Sequence, residues 1–215
     1  MRPERLISLF GFLAGLLALG MAAIAFSTGV TQEYFESSHP ATEYAAKLVS
    51  QAEMLRLVFT LDNFFLLAYG CFFLWYMVDR KGKVDHWLLI VMGVFLLAAM
   101  VLDAIENFHI LGMLIRAEQK LPITDSEIGL QYILSAVKFM VAYFAVIILG
   151  LTFPRDTALA RFVGTSTAIL FPILGVLAFT VPPPWVMYCG IGRSLFFVLG
   201  FILSAVVYWN RGEPK

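Results

Sequence analysis

The sequence predicts an all-α polytopic integral membrane bundle of six transmembrane helices, with both termini cytoplasmic. Three observations carry this. Apolar residues make up 60% of the chain and charged residues 14%, whereas a soluble domain is about half apolar and a quarter charged. Six segments are apolar over the roughly 20 residues needed to cross a ~30 Å hydrocarbon core: 6–26, 55–78, 87–114, 131–153, 160–181 and 187–209. Lys and Arg are concentrated in alternate connections, as the positive-inside rule requires. With the N-terminus inside, the inner segments hold Arg2, Arg5, Arg80, Lys81, Lys83, Arg155, Arg161, Arg211 and Lys215. The outer ones hold only Lys47, Arg56, Arg116 and Lys120. The expected location is the inner or plasma membrane. A mass of 24.0 kDa accommodates one domain.

The first segment follows Arg2 and Arg5 and ends near Ala23-Ile24-Ala25, which resembles a signal-peptidase site. Its apolar stretch is longer than the roughly 7–15 residues of a signal h-region, so it reads as a retained helix. Gly11 and Gly15 offer that helix a close-packing face. Residues 27–54 form the one long connection, on the outer side. Within it, Ala41 to Arg56 is helix-friendly after Pro40 and is expected to run straight into the second span, projecting several turns outward. Tyr44, Leu48, Ala52 and Leu55 would then share a face. Thr124-Asp125-Ser126-Glu127 is a capping box for the fourth span, and Pro154 stops that helix. Asp156 is positioned to cap the fifth span, and Pro182-Pro183-Pro184 forces the turn before the sixth. Trp75, Tyr76, Trp87, Tyr208 and Trp209 are expected at the inner interface. Tyr132, Trp185 and Tyr188 are expected at the outer one.

Polar residues inside the spans are the strongest functional signal. Asp62, Asp103, Glu106, Lys138 and Arg193 are ionisable residues within apolar runs, each costing roughly 2.5–3.5 kcal/mol at the membrane centre. Asp62, Lys138 and Arg193 fall about 9–12 Å from the outer ends of their helices at 1.5 Å per residue. Asp103, Glu106 and Asn107 occupy the outer half of the third span, on one face at i, i+3 and i+4. Four helices therefore place their charges in one layer near the outer surface. Asp62, Asp103, Glu106, Asn107, Lys138 and Arg193 are the expected ligand- or ion-binding residues, with Lys138 and Arg193 opposite the carboxylates. Asn63, Tyr69 and His109 are possible further members. The three carboxylates exceed the two cations by one charge. A protonated carboxyl, a charged His109 or a bound cation would balance it.

Several classes are disfavoured. Zero net charge gives no electrostatic footprint for nucleic acid. His39 and His86 fall on opposite sides of the membrane, and no HExxH or HxxxH pair exists, so no metal or cofactor is expected. Cys71 and Cys189 have no metal or redox spacing. Three readings stay open. The layer is a pocket open to the exterior for a small polar or charged solute, with an anion as one ligand class. It is a structural layer in a subunit that works through a membrane-protein partner or a second copy. Or it is an intramembrane enzyme site for a lipid-linked substrate, with Asp103 or Glu106 as acid or base. No nucleophile–base pair or metal set supports the third.

Overall fold

The computed structural model describes residues 2–182 and 184–212. Eight helices account for nearly all of them: α1 Pro3–Thr28, α2 Gln32–Phe35, α3 Ala41–Ser50, α4 Ala52–Arg80, α5 His86–Glu118, α6 Asp125–Thr152, α7 Ala158–Thr180 and α8 Trp185–Arg211. Six of these, all but α2 and α3, are long and apolar enough to cross a membrane. No strand occurs among the described residues. The outer wall is apolar, with Leu67, Val94, Leu97, Phe108 and Leu151 exposed. The buried carboxylates and amides lie inside that wall. This inversion of a soluble protein's pattern suits a hydrocarbon solvent.

The long helices form a closed ring. Going round it, α4 packs on α1, α1 on α8, α8 on α7, α7 on α6, α6 on α5, and α5 back on α4. Chain direction alternates at every step, so all neighbours are antiparallel. The first and last helices therefore meet, and both described ends of the chain lie at one end of the bundle, where the Arg5 guanidinium covers the Trp209 ring at 4.1 Å. We call this the terminal end, and the end bearing α2 and α3 the cap end.

Small residues set the closest approaches. A Cβ at Gly11 would come within 3.2 Å of the Phe201 carbonyl, and one at Gly15 within 2.6 Å of Ile202, so the expected glycine face packs α1 on α8. Gly150 of α6 and Gly164 of α7 meet almost backbone to backbone. The middle of the ring is filled by aromatic rings from α4 and α8. Phe65 lies 5.2 Å from Phe197 and 5.6 Å from Phe201, and Phe72 lies 5.3 Å from Phe201. This apolar plug separates the two ends of the bundle.

Helix ends follow local chemistry. The capping box forms: the Thr124 side chain accepts from the Glu127 N–H, and the Glu127 carboxylate accepts from the Thr124 N–H. Thr157, not Asp156, caps α7 by accepting from the Ala160 N–H at 3.1 Å. Asp156 instead takes a hydrogen bond from Arg211 at 2.9 Å. Of the triple-proline turn, Pro183 lies outside the described residues. Pro172 sits inside α7 without ending it.

Two expectations are corrected. The straight helix from Ala41 into the second span is broken at Gln51, whose φ of −115° and ψ of 12° leave the helical region. The break lets α3 fold over α5 instead of projecting. Burial drives this: Tyr44, Leu48 and Leu55 are buried with Phe59, Ile110, Met113 and Leu114 in a second apolar core at the cap end. Tyr76 and Tyr208 are fully buried and do not face the interface. The Tyr76 hydroxyl donates to the Leu149 carbonyl at 3.2 Å, and the Tyr208 hydroxyl donates to Asp79 at 3.4 Å. The buried Asp79 also holds Lys83 at 2.6 Å, so the terminal end has a small polar cluster of its own.

Candidate functional site

The polar layer assembles beneath the cap end, on the side of the aromatic plug away from the termini. α5 supplies Asp103, Glu106 and Asn107 from one inward stripe, and all three are buried. The lipid-facing side of the same turns carries exposed Ile105 and Phe108. α4 adds Asp62 and Tyr69, and α6 adds Gln131, Ser135 and Lys138 at i, i+4 and i+7, one face of the helix.

Lys138 is the hub. Its ammonium donates to Asp103 Oδ1 at 3.1 Å and to Glu36 Oε1 at 3.4 Å, and it contacts Glu106 Oε2. Asp103 Oδ2 accepts from the Tyr69 hydroxyl at 3.1 Å. Glu106 Oε1 accepts from the Ser135 hydroxyl and, at 3.0 Å, from Gln131 Nε2. Gln131 Oε1 in turn faces His109 Nδ1 at 2.8 Å, which places the proton on Nδ1. The Asn107 amide donates to Asp62 Oδ2 at 2.6 Å and accepts from Gln32 Nε2 at 3.1 Å.

Arg193 does not face the α5 carboxylates. Its Nη2 donates to Glu33 Oε1 at 2.9 Å, and the same oxygen accepts from the Ser194 hydroxyl at 3.2 Å. The guanidinium lies 4.3 Å from the centre of the Phe139 ring and 5.6 Å from that of Phe179. The Lys138 ammonium lies 4.7 Å from the same Phe139 ring. One aromatic ring thus stations both cations, an arrangement favoured by the ring's negative face.

The mouth over this layer is closed. The short helix α2 and its C-cap residue Glu36 lie across it, with Gln32 bonded to Asn107, Glu36 to Lys138 and the exposed Glu33 to Arg193 at the rim. Glu106, Asn107, Gln131 and Ser135 are each 0% exposed beneath it. Thr31 caps α2, accepting from the Tyr34 N–H. The Tyr44 hydroxyl donates to the Phe35 carbonyl at 3.0 Å and ties the cap to α3. Burial, with the nearby carboxylates of Glu106 and Glu36, pushes the Tyr44 phenol up from its ordinary pKa. At the rim, the Tyr34 hydroxyl donates to Glu43 at 2.8 Å, and loss of solvent together with that bond pushes its pKa up to about 12. A separate groove of about 720 Å³ opens at the same end, between the end of α1 and the α3–α4 junction. It is lined by Thr28, Val30, Gln51, Glu53, Met54 and Glu118, and by no layer residue.

Of the residues singled out from sequence, Asp103, Glu106 and Lys138 meet in one network, and Asp62 and Asn107 pair with each other beside it. Arg193 joins through the cap and the Phe139 ring. Tyr69 and His109 attach at its edges. Asn63 stays apart, its amide donating back to the Phe59 carbonyl at 2.8 Å. The sequence reading missed Gln32, Glu33, Glu36 and Gln131. Gln131 had a signal, since it lies one turn before Ser135 on the Lys138 face. The cap residues had none, because a polar side chain in a polar loop looks solvated. Their addition changes the charge balance. Asp103, Glu106 and Glu36 contact Lys138, Asp62 is held by Asn107, and Glu33 is matched by Arg193. Among the described residues no cluster of His, Cys, Asp and Glu has metal-holding geometry. The chain matches no protein-family model, no curated protein and no solved structure.

Proposed function

We propose that this multi-pass membrane protein binds or transports a small charged solute in the polar layer, with α2 as the cap that closes the chamber from the exterior. The reach of Gln32 and Glu36 into the bundle mouth, with Glu33 on Arg193 at its rim, carries this reading. A layer that only locks helices together needs bonds between helices. It does not need a loop to deliver a further buried carboxylate, Glu36, into a region already rich in them. Intramembrane ionisable groups mark solute and ion pathways by default, and occlusion by a moving segment is a standard way to isolate such a site. The aromatic plug on the terminal side favours a chamber reached from one end over an open pore. Lys and Arg asymmetry supports a cap end on the outside, and the membrane proposed is the inner or plasma membrane.

A second reading has one observation in its favour. The amides and hydroxyls in the layer are paired with one another, as in a structural clamp within a larger membrane complex. Glu106→Gln separates the two. The substitution keeps an acceptor for Ser135 and removes one negative charge from a layer with excess carboxylates. In the solute-site reading the thermal midpoint in detergent stays level or rises. Shifts produced by small carboxylates, amino acids or alkylammonium ions are then lost. A fall in midpoint, with no solute shifting the native protein, would establish the clamp instead.

A further inference from the structure

Both buried cations of the layer are occupied by carboxylates that belong to the cap. Arg193 and Ser194 together hold one oxygen of Glu33, and Lys138 holds Glu36. The donors do not depend on the cap for their placement. Arg193 rests against Phe139 and Phe179, and Lys138 rests against Phe139 and is bonded to Asp103. The Glu33 side chain is 53% exposed while that of Arg193 is 9% exposed. The Glu33 side chain therefore lies at the surface of the molecule, against a buried guanidinium.

We propose that the chamber takes a small dicarboxylate, and that Glu33 and Glu36 occupy the positions of its two carboxylate groups when the cap is closed. The proposal rests on reading the layer as a solute site and specifies what enters it. Three features favour a dicarboxylate. A guanidinium with an adjacent hydroxyl donor suits a carboxylate oxygen. The second cation sits on the same aromatic ring, so one short molecule can reach both. Exchange of two cap carboxylates for two solute carboxylates leaves the charge of the layer unchanged, which avoids a further electrostatic cost in a low-dielectric region. A neutral or cationic solute would leave Arg193 without a carboxylate, and Lys138 without the third of its three, once the cap moved.

The test uses the full-length protein in detergent with succinate as probe, read by thermal shift. The variant E33Q/E36Q keeps the shape of the cap and weakens its competition for the cations. Removing an internal competitor raises the binding-competent fraction, so apparent succinate affinity should increase about tenfold or more. Adding R193Q to that variant should abolish the gain. Equal or absent succinate shifts in wild type and E33Q/E36Q would overturn the proposal. A shift from putrescine and not from succinate would overturn the carboxylate class while leaving a solute site standing. If no solute acts on either protein and E106Q is destabilised, the solute site itself fails. Should the double variant not fold, E33Q alone with acetate poses the same question at Arg193. Acetate must then shift E33Q more than wild type, and equal shifts would overturn the proposal.

Discussion

Lys138 shows how much one side chain carries here. It is the only cation in contact with Asp103, Glu106 and Glu36 among the described residues. Lys138→Met preserves length and removes the charge, leaving desolvated carboxylates facing one another. Breaking a buried ion pair from one side typically costs roughly 3–5 kcal/mol. We expect a loss of that order in unfolding free energy in detergent micelles, with partial recovery when Asp103→Asn is added. Asn63→Ala should fall within about 0.5 kcal/mol of wild type, because its amide bonds only to its own helix. At this scale the sequence was informative wherever a charge interrupted an apolar run. Asp62, Asp103, Glu106 and Lys138 stood out because membrane burial makes them costly. Glu33 and Glu36 did not, since the burial of Glu36 and the reach of Glu33 to Arg193 come from the path of a loop, and no local pattern encodes that path. The same gap misassigned the partner of Arg193.

Among the elements, the six long helices were legible because length and hydropathy alone determine a span. Their ends were mostly legible too, since capping is local chemistry. Thr157 displaced Asp156 as the cap of α7 through a one-residue difference in where the turn begins. The α3–α4 break was not legible. Ala41 to Arg56 has nothing that disfavours helix, and the kink at Gln51 is imposed by burying Tyr44 and Leu48 against Ile110 and Leu114. That packing also anchors the cap. Tyr44→Phe removes the bond to the Phe35 carbonyl and leaves a buried acceptor short of its donor, at a cost of about 1–3 kcal/mol. Hydrogen exchange should then quicken across residues 30–40 while the six long helices keep their protection. Unchanged exchange there would mean the cap is held by other contacts. Alkaline titration should act on the same region. An exposed phenol loses its proton near pH 10, whereas that of Tyr34 is held to about 12. The stabilisation from this bond is therefore complete below 10 and lost as the pH climbs from 10 through 12.

For the whole molecule, the ring makes the two ends of the bundle chemically distinct. The Lys and Arg count supports the proposal that the cap end faces outward, and labelling can check it. With Cys71 and Cys189 replaced by Ser, a membrane-impermeant maleimide added to intact cells should modify Ser126→Cys at the cap end. It should spare Glu4→Cys at the terminal end until the membrane is opened. The reverse pattern would put the cap inside and undo the exterior entry argued above.

The ring also bears on how the chain is made. α1 and α8 are neighbours, so the circle closes only when the last helix leaves the ribosome. Asp62, Asp103 and Glu106 arrive in the bilayer before either cation. The α4–α5 hairpin can shelter two of them unaided, through Asn107 on Asp62 and Tyr69 on Asp103. Glu106 has to wait for Gln131, Ser135 and Lys138 of α6. Biogenesis therefore leaves Glu106 unsheltered between the third and fourth spans, although it is fully enclosed in the finished protein.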